Sequence, residues 1–151
     1  MNILGQILLF LLQIPSHNGC DEKYLQKLLD SSDLVVIAEV AKVEKATGAW
    51  SGYVLISQEV QYEVKEVLKG KNGDAVLRVS HLIVKNSPST DGEKAQLSPK
   101  IFAEGNQLIL FISRIHSAKG ATSYMVRDTY CGVELTRADR VKLIRQLLSK
   151  K

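Results

Sequence analysis

From Leu34 to Arg127 the chain strings five strand-like segments together with no helical stretch between them, and a helix-like segment stands at each end. Parallel neighbours need a crossover of a dozen or more residues, usually a helix, so consecutive strands of this kind are expected to pair antiparallel. The expected fold is mainly β with flanking helices (α+β). It is a small five-stranded antiparallel barrel with an N-terminal and a C-terminal helix.

The segments differ in how they meet the core. Leu34-Val35-Val36-Ile37-Ala38-Glu39-Val40 is dense in β-branched residues and reads as a strand buried on both faces at first and half exposed later. Tyr53 to Leu68 carries the clearest alternation, with Val60, Tyr62 and Val64 on one face and Glu59, Gln61, Glu63 and Lys65 on the other. The pattern slips at Glu66-Val67-Leu68, which predicts a β-bulge or the strand end. Lys69-Gly70-Lys71-Asn72-Gly73-Asp74 is a turn leading into the third strand, Ala75 to Val84. Gln107 to Ile112 and Ser123 to Arg127 are the fourth and fifth. Lys45 to Gly52, which holds the only tryptophan, and Lys85 to Pro99 are the long loops. Trp50 and Tyr53, together with Cys20, are the candidate partner-binding residues.

The first helix is expected over Asp21 to Asp30, with Tyr24, Leu25, Leu28 and Leu29 as its apolar stripe. Thr136 is expected to cap the last helix, with Asp139 in its first turn. Ala138, Val141, Ile144, Leu147 and Leu148 would line its buried face, leaving Arg137, Arg140, Lys142 and Arg145 outside.

The run Ile3 to Ile14 is mostly apolar, too short for a membrane span of about 20 residues and of the length of a signal-peptide core. Residues 1–19 therefore read as a signal peptide, with cleavage after Ser16 or Gly19, and 20–151 as a single exported domain. Only the α-amino group supplies positive charge ahead of the run. Cleavage after Gly19 leaves Cys20 at the mature terminus, and the second cysteine, Cys131, lies near the other end. Two fates for Cys20 follow, and they exclude each other. In an oxidising compartment it bridges Cys131. As the acylated residue of a bacterial lipoprotein it holds the chain on a membrane and leaves Cys131 without an intramolecular partner.

With 45% hydrophobic and 24% charged residues the composition is that of an ordinary globular protein. The net charge of +4 comes partly from Lys142, Arg145, Lys150 and Lys151, which suit the C-terminal end of a helix. Aromatic residues make up 6% and are not interleaved with basic ones, so no nucleic-acid partner is expected. The three histidines, His17, His81 and His116, have no metal-ligand spacing, and no cofactor or intrinsic metal is expected. There is no Gly-x-Ser-x-Gly elbow and no P-loop. Glu59, Glu63 and Glu66 read as a solvated strand face and His81 as a packed or hydrogen-bonded residue, so no catalytic residue is assigned.

Several segments in order resemble the netrin-like fold of tissue inhibitors of metalloproteinases and their bacterial relatives. They are Cys20 at the mature start, Ser32-Asp33-Leu34-Val35-Val36-Ile37-Ala38-Glu39-Val40, and Tyr62-Glu63-Val64-Lys65-Glu66-Val67-Leu68-Lys69-Gly70. Gly105-Asn106-Gln107-Leu108-Ile109-Leu110-Phe111 and Tyr130-Cys131-Gly132 complete the set. The resemblance implies an OB-type five-stranded barrel with helices packed alongside. The leader, the strand pattern and the lack of a catalytic constellation lead to a non-enzymatic, exported binding module whose loops, Lys45 to Gly52 and Lys85 to Pro99, take a protein or ligand partner. A second implication is metalloprotease inhibition, with the α-amino group and carbonyl of Cys20 chelating the protease's zinc. The Cys-x-Cys start of those inhibitors is absent, since Asp21 and Glu22 follow Cys20. A third reading, an oligonucleotide- or oligosaccharide-binding barrel, follows from what OB-type folds often hold.

Overall fold

A computed structural model describes residues 20–44, 54–85, 99–126 and 131–151, of which 54–56, 82–85 and 99–100 are described by their backbone. The expected leader, Trp50, Tyr53 and most of the two expected loops lie outside these residues. Helix α1 spans Glu22–Ser31 and is followed by strands β1 (Leu34–Val43), β2 (Val54–Lys69) and β3 (Val76–Lys85). A 3-10 turn at Pro99–Phe102 precedes β4 (Gln107–His116), β5 (Thr122–Met125), β6 (Val133–Leu135) and helix α2 (Ala138–Ser149).

The strands close into a ring, β1-β2-β3-β5-β4 and back to β1, with β6 added beside β4. The chain is mainly β, as expected, but the barrel is not purely antiparallel. Four of the ring's contacts are antiparallel, and β3 with β5 is parallel. Ring closure itself dictates the correction. Each antiparallel contact reverses strand direction, and the directions must agree after one full circuit. Five strands therefore require at least one parallel contact. Here β4 serves as the crossover, carrying the chain away from β3 and returning it as β5.

Two cores follow from the pleat of β1. Leu34, Val36, Ala38 and Val40 point into the barrel with Val60, Tyr62, Leu77, Val79, Leu108, Leu110 and Ile112. Val35 and Ile37 point outward, beside Ile109 and Phe111 of β4. There they meet Leu25, Leu28 and Leu29 of α1 and Val141, Ile144 and Leu147 of α2. The helices thus cover a part of the barrel wall that is apolar on both faces. Each such side chain contributes about 1.5–3 kcal/mol on burial, which makes this second core a large share of what holds the helices.

The slip in β2 is a pair of bulges. Opposite β1 the register jumps from Lys69 to Val67 and from Glu66 to Val64, so the strand runs on to Lys69 and coils around the barrel. The turn beyond it is built on Gly70, whose φ is +86°. A Cβ there would sit 2.3 Å from the Asp33 carbonyl oxygen, so the backbones of the β2 end and the β1 start approach too closely for any side chain. Lys69 completes the junction by donating from Nζ to the Leu29 carbonyl at 2.5 Å and the Ser32 carbonyl at 2.6 Å. It satisfies acceptors that the end of α1 leaves open.

Candidate functional site

The strongest functional candidate is the corner where Cys20 meets the segment 131–140. Cys20 and Cys131 form a disulfide, with Cα atoms 6.1 Å apart across 111 positions. The bridge occupies the sulfur that acylation of Cys20 would use. Cys20 itself is half-buried, and Asp21 beside it is the N-cap of α1, accepting from the Tyr24 amide at 2.7 Å.

Beyond Cys131, β6 lines up antiparallel with Leu108–Leu110 of β4. The Gly132 carbonyl accepts from Phe111 and the Thr136 amide donates to the Gln107 carbonyl, which extends the ladder at both ends. This pairing overturns Thr136 as the helix cap. Thr136 is held to the sheet, Arg137 is the N-cap without a side-chain cap bond, and α2 starts at Ala138.

The ladder also turns Glu134 to the face of Ile109, where it is buried beneath α2. Its carboxylate receives the Arg140 Nε at 2.9 Å and 3.0 Å, and both residues are buried. Arg140 Nη2 then donates to the Cys20 carbonyl at 3.2 Å. Burial raises the Glu134 carboxyl above its usual range, outweighing the opposing pull of Arg140. Arg140 was expected on the solvent face of α2, and here the expectation fails because an internal carboxylate waits for it. Ala138, expected in the buried stripe, is exposed instead. The missed signal was positional: Arg140 precedes Ile144 by four residues and Leu147 by seven, on the same helical face.

The corner is therefore a double clamp on one residue. A covalent bond holds the Cys20 side chain and a charged hydrogen bond holds its carbonyl. Glu134 fixes the guanidinium that makes the second contact. Nothing in it resembles a nucleophile–base pair, and among the described residues no group of three or more His, Cys, Asp or Glu side chains could hold a metal ion.

A second polar pair sits inside the barrel. His81 Nε2 lies 2.8 Å from the Tyr62 hydroxyl, and its ring packs against Phe102 with centroids 4.6 Å apart. Burial lowers the His81 pKa to about 3 and pushes the Tyr62 phenol up. Both groups are neutral at ordinary pH. His81 Nδ1 has no partner among the described residues. The pair reads as packing of the barrel end, the role expected for His81 from its strand position.

No protein-family model and no curated protein matches this chain. Trp50 and Tyr53 fall outside the described residues, so of the expected contact residues only Cys20 is placed.

Proposed function

We propose that this chain works outside the cytoplasm as a non-catalytic binding domain of the netrin and metalloproteinase-inhibitor type. Its OB-type barrel takes a protein partner through its loops and the Cys20 corner. The observation that carries the reading is the ring order β1-β2-β3-β5-β4, with Cys20 bridged to the segment just ahead of α2. Two segments of the resemblance, Ser32-Asp33 and Lys69-Gly70, also meet in space through the Lys69 hydrogen bond and the close approach of Gly70. The bridge favours an oxidising compartment, and among the described residues no helix is long and apolar enough to cross a membrane. Fold by itself does not select a function, so the reading leans on how Cys20 is held.

Fractionation of the native host with thiol labelling tests the compartment. The expected result is a chain outside the cytoplasm whose two cysteines label only after reduction. A cytosolic chain with both thiols free would contradict the proposal.

The clamp also favours a second reading, inhibition of a metalloprotease by the amino-terminal Cys20. The α-amino group and carbonyl of Cys20 would chelate the protease's zinc while the bridge to Cys131 holds the residue in place, and that carbonyl must first leave Arg140. In that case a chain beginning at Cys20 inhibits, and one extra residue ahead of Cys20 abolishes inhibition. Equal inhibition by both chains would exclude the mechanism.

A further inference from the structure

The connection from β2 to β3 runs Gly70-Lys71-Asn72-Gly73-Asp74, and it is pinned at both ends. On one side Gly70 lies against the Asp33 carbonyl, and Arg114 Nη2 donates to the Lys71 carbonyl. On the other the Val64 amide donates to the Ala75 carbonyl, where the β2–β3 pairing resumes. Between these anchors Asn72 folds its side chain over the residue that follows. Its Nδ2 donates to the Asp74 carbonyl, and the Asp74 amide donates back to Asn72 Oδ1 at 3.3 Å. Both bonds reach two residues along the chain, the Asx turn that asparagine favours.

That ring of bonds closes around the Gly73 peptide nitrogen. Gly73 is exposed, and nothing lies within 4 Å of where its Cβ would stand. Among the described residues no acceptor takes its amide. The nitrogen is therefore open to solvent base and carries no neighbouring side chain to crowd it. The Asp74 amide on Oδ1 draws electron density from Asn72 Cγ, as a donor does at any carbonyl about to be attacked. Asn106, the other described asparagine, is placed differently. It donates to the Ile101 carbonyl at 3.1 Å and precedes Gln107, the first residue of β4.

We propose that Asn72–Gly73 is a self-modification site, at which the folded chain converts its asparagine to an isoaspartyl link with time. The Gly73 nitrogen gives its proton to solvent base and attacks Asn72 Cγ. The Cγ–Nδ2 bond breaks, ammonia leaves with a proton from solvent, and a cyclic imide remains. Water then opens the imide. Opening at Cγ leaves an ordinary aspartyl residue, and opening at the main-chain carbonyl leaves the chain routed through Cβ and Cγ. One water is consumed, one ammonia is released, and no oxidant or reductant takes part. Either product puts a carboxylate where a neutral amide stood, lowering the net charge of +4 by one unit. The isoaspartyl link also adds a methylene to the main chain between the Lys71 and Ala75 anchors. The site is independent of how Cys20 is held.

The test holds the mature, oxidised chain at physiological temperature and mildly alkaline pH, and follows it by cation exchange and peptide mass mapping. The expected result is a growing form with one positive charge fewer, its change at position 72 and Asn106 intact. A methyltransferase specific for isoaspartate, supplied with labelled S-adenosylmethionine, should label that same peptide. Gly73→Ala tests the route. Gly73 has no positive φ and its added Cβ meets open space, so the variant keeps the fold. Its methyl group crowds the attacking nitrogen, and conversion should slow severalfold. A synthetic peptide spanning Lys69 to Val76 gives the reference rate. A folded chain that stays unconverted at position 72 while this peptide converts would overturn the proposal, because the turn would then protect the amide. Equal conversion in Gly73→Ala, or a new charge form without the isoaspartate label, would overturn it too.

Discussion

At the scale of single residues, burial decides what each polar group can do. Arg140 and Glu134 form a buried pair whose loss on one side leaves an uncompensated charge. Arg140→Ala should cost about 3–5 kcal/mol in urea unfolding, and replacing both residues with apolar side chains should recover most of that. A loss under about 1 kcal/mol would show an exposed, weakly coupled pair. His81 gives a pH signature. Its pKa is about 3 in the folded chain, against about 6.5 when unfolded, so the unfolded state binds more protons between these values. Stability is then fully present above pH ~6.5 and falls progressively as pH drops towards ~3. Denaturant midpoints across that window should slope downward in the wild type and lose part of the slope in His81→Gln. Identical slopes would mean that His81 is solvated. Gly70→Ala places a Cβ against the Asp33 carbonyl at a positive φ, and should destabilise by at least about 2 kcal/mol.

At the scale of elements, the strands were readable where one rule governed them. The alternation of Val60, Tyr62 and Val64 against Glu59, Gln61 and Glu63 put the first set inward, and the structure places Val60 and Tyr62 in the barrel core with Val64 packed on it. The doubly buried start of β1 was visible in Leu34-Val35-Val36-Ile37-Ala38 because both faces are covered, one by the barrel interior and one by the helices. Strand β6 was not visible. Three residues, Val133-Glu134-Leu135, have no period to detect, and pairing with β4 alone defines them. That same pairing took Thr136 from the helix and supplied the carboxylate that buries Arg140. The C-terminal end of α1 depends on a distant side chain in the same way. Lys69→Met should remove the bonds to the Leu29 and Ser32 carbonyls, lowering stability by about 1–2 kcal/mol. Faster amide exchange in the last turn of α1 would report the loss, and unchanged exchange there would count against the cap.

At the scale of the whole molecule, the chain is a barrel wall covered on one side by two helices, with one covalent bond tying Cys20, ahead of α1, to Cys131, ahead of β6. The parallel β3–β5 contact could not be read from local pattern, since it joins segments more than forty residues apart. It follows only once the ring is known to close. The candidate site was legible in part for the same reason. The bridge was one of two fates open to Cys20, whereas the guanidinium on its carbonyl comes from a residue 120 positions away. A cross-link over 111 positions removes chain entropy worth about 4–5 kcal/mol from the unfolded state. Cys131→Ser should therefore unfold at clearly lower denaturant than the oxidised wild type and match the reduced one. The central claim is that the working protein is an exported domain that starts at Cys20 and is closed by this bridge. The most direct test is the intact mass of the protein recovered from its native host, taken before and after reduction. The account predicts a mass beginning at Cys20 that gains two hydrogens on reduction. A mass that retains residues 1–19 and does not change on reduction, or one heavier by acyl chains, would contradict it.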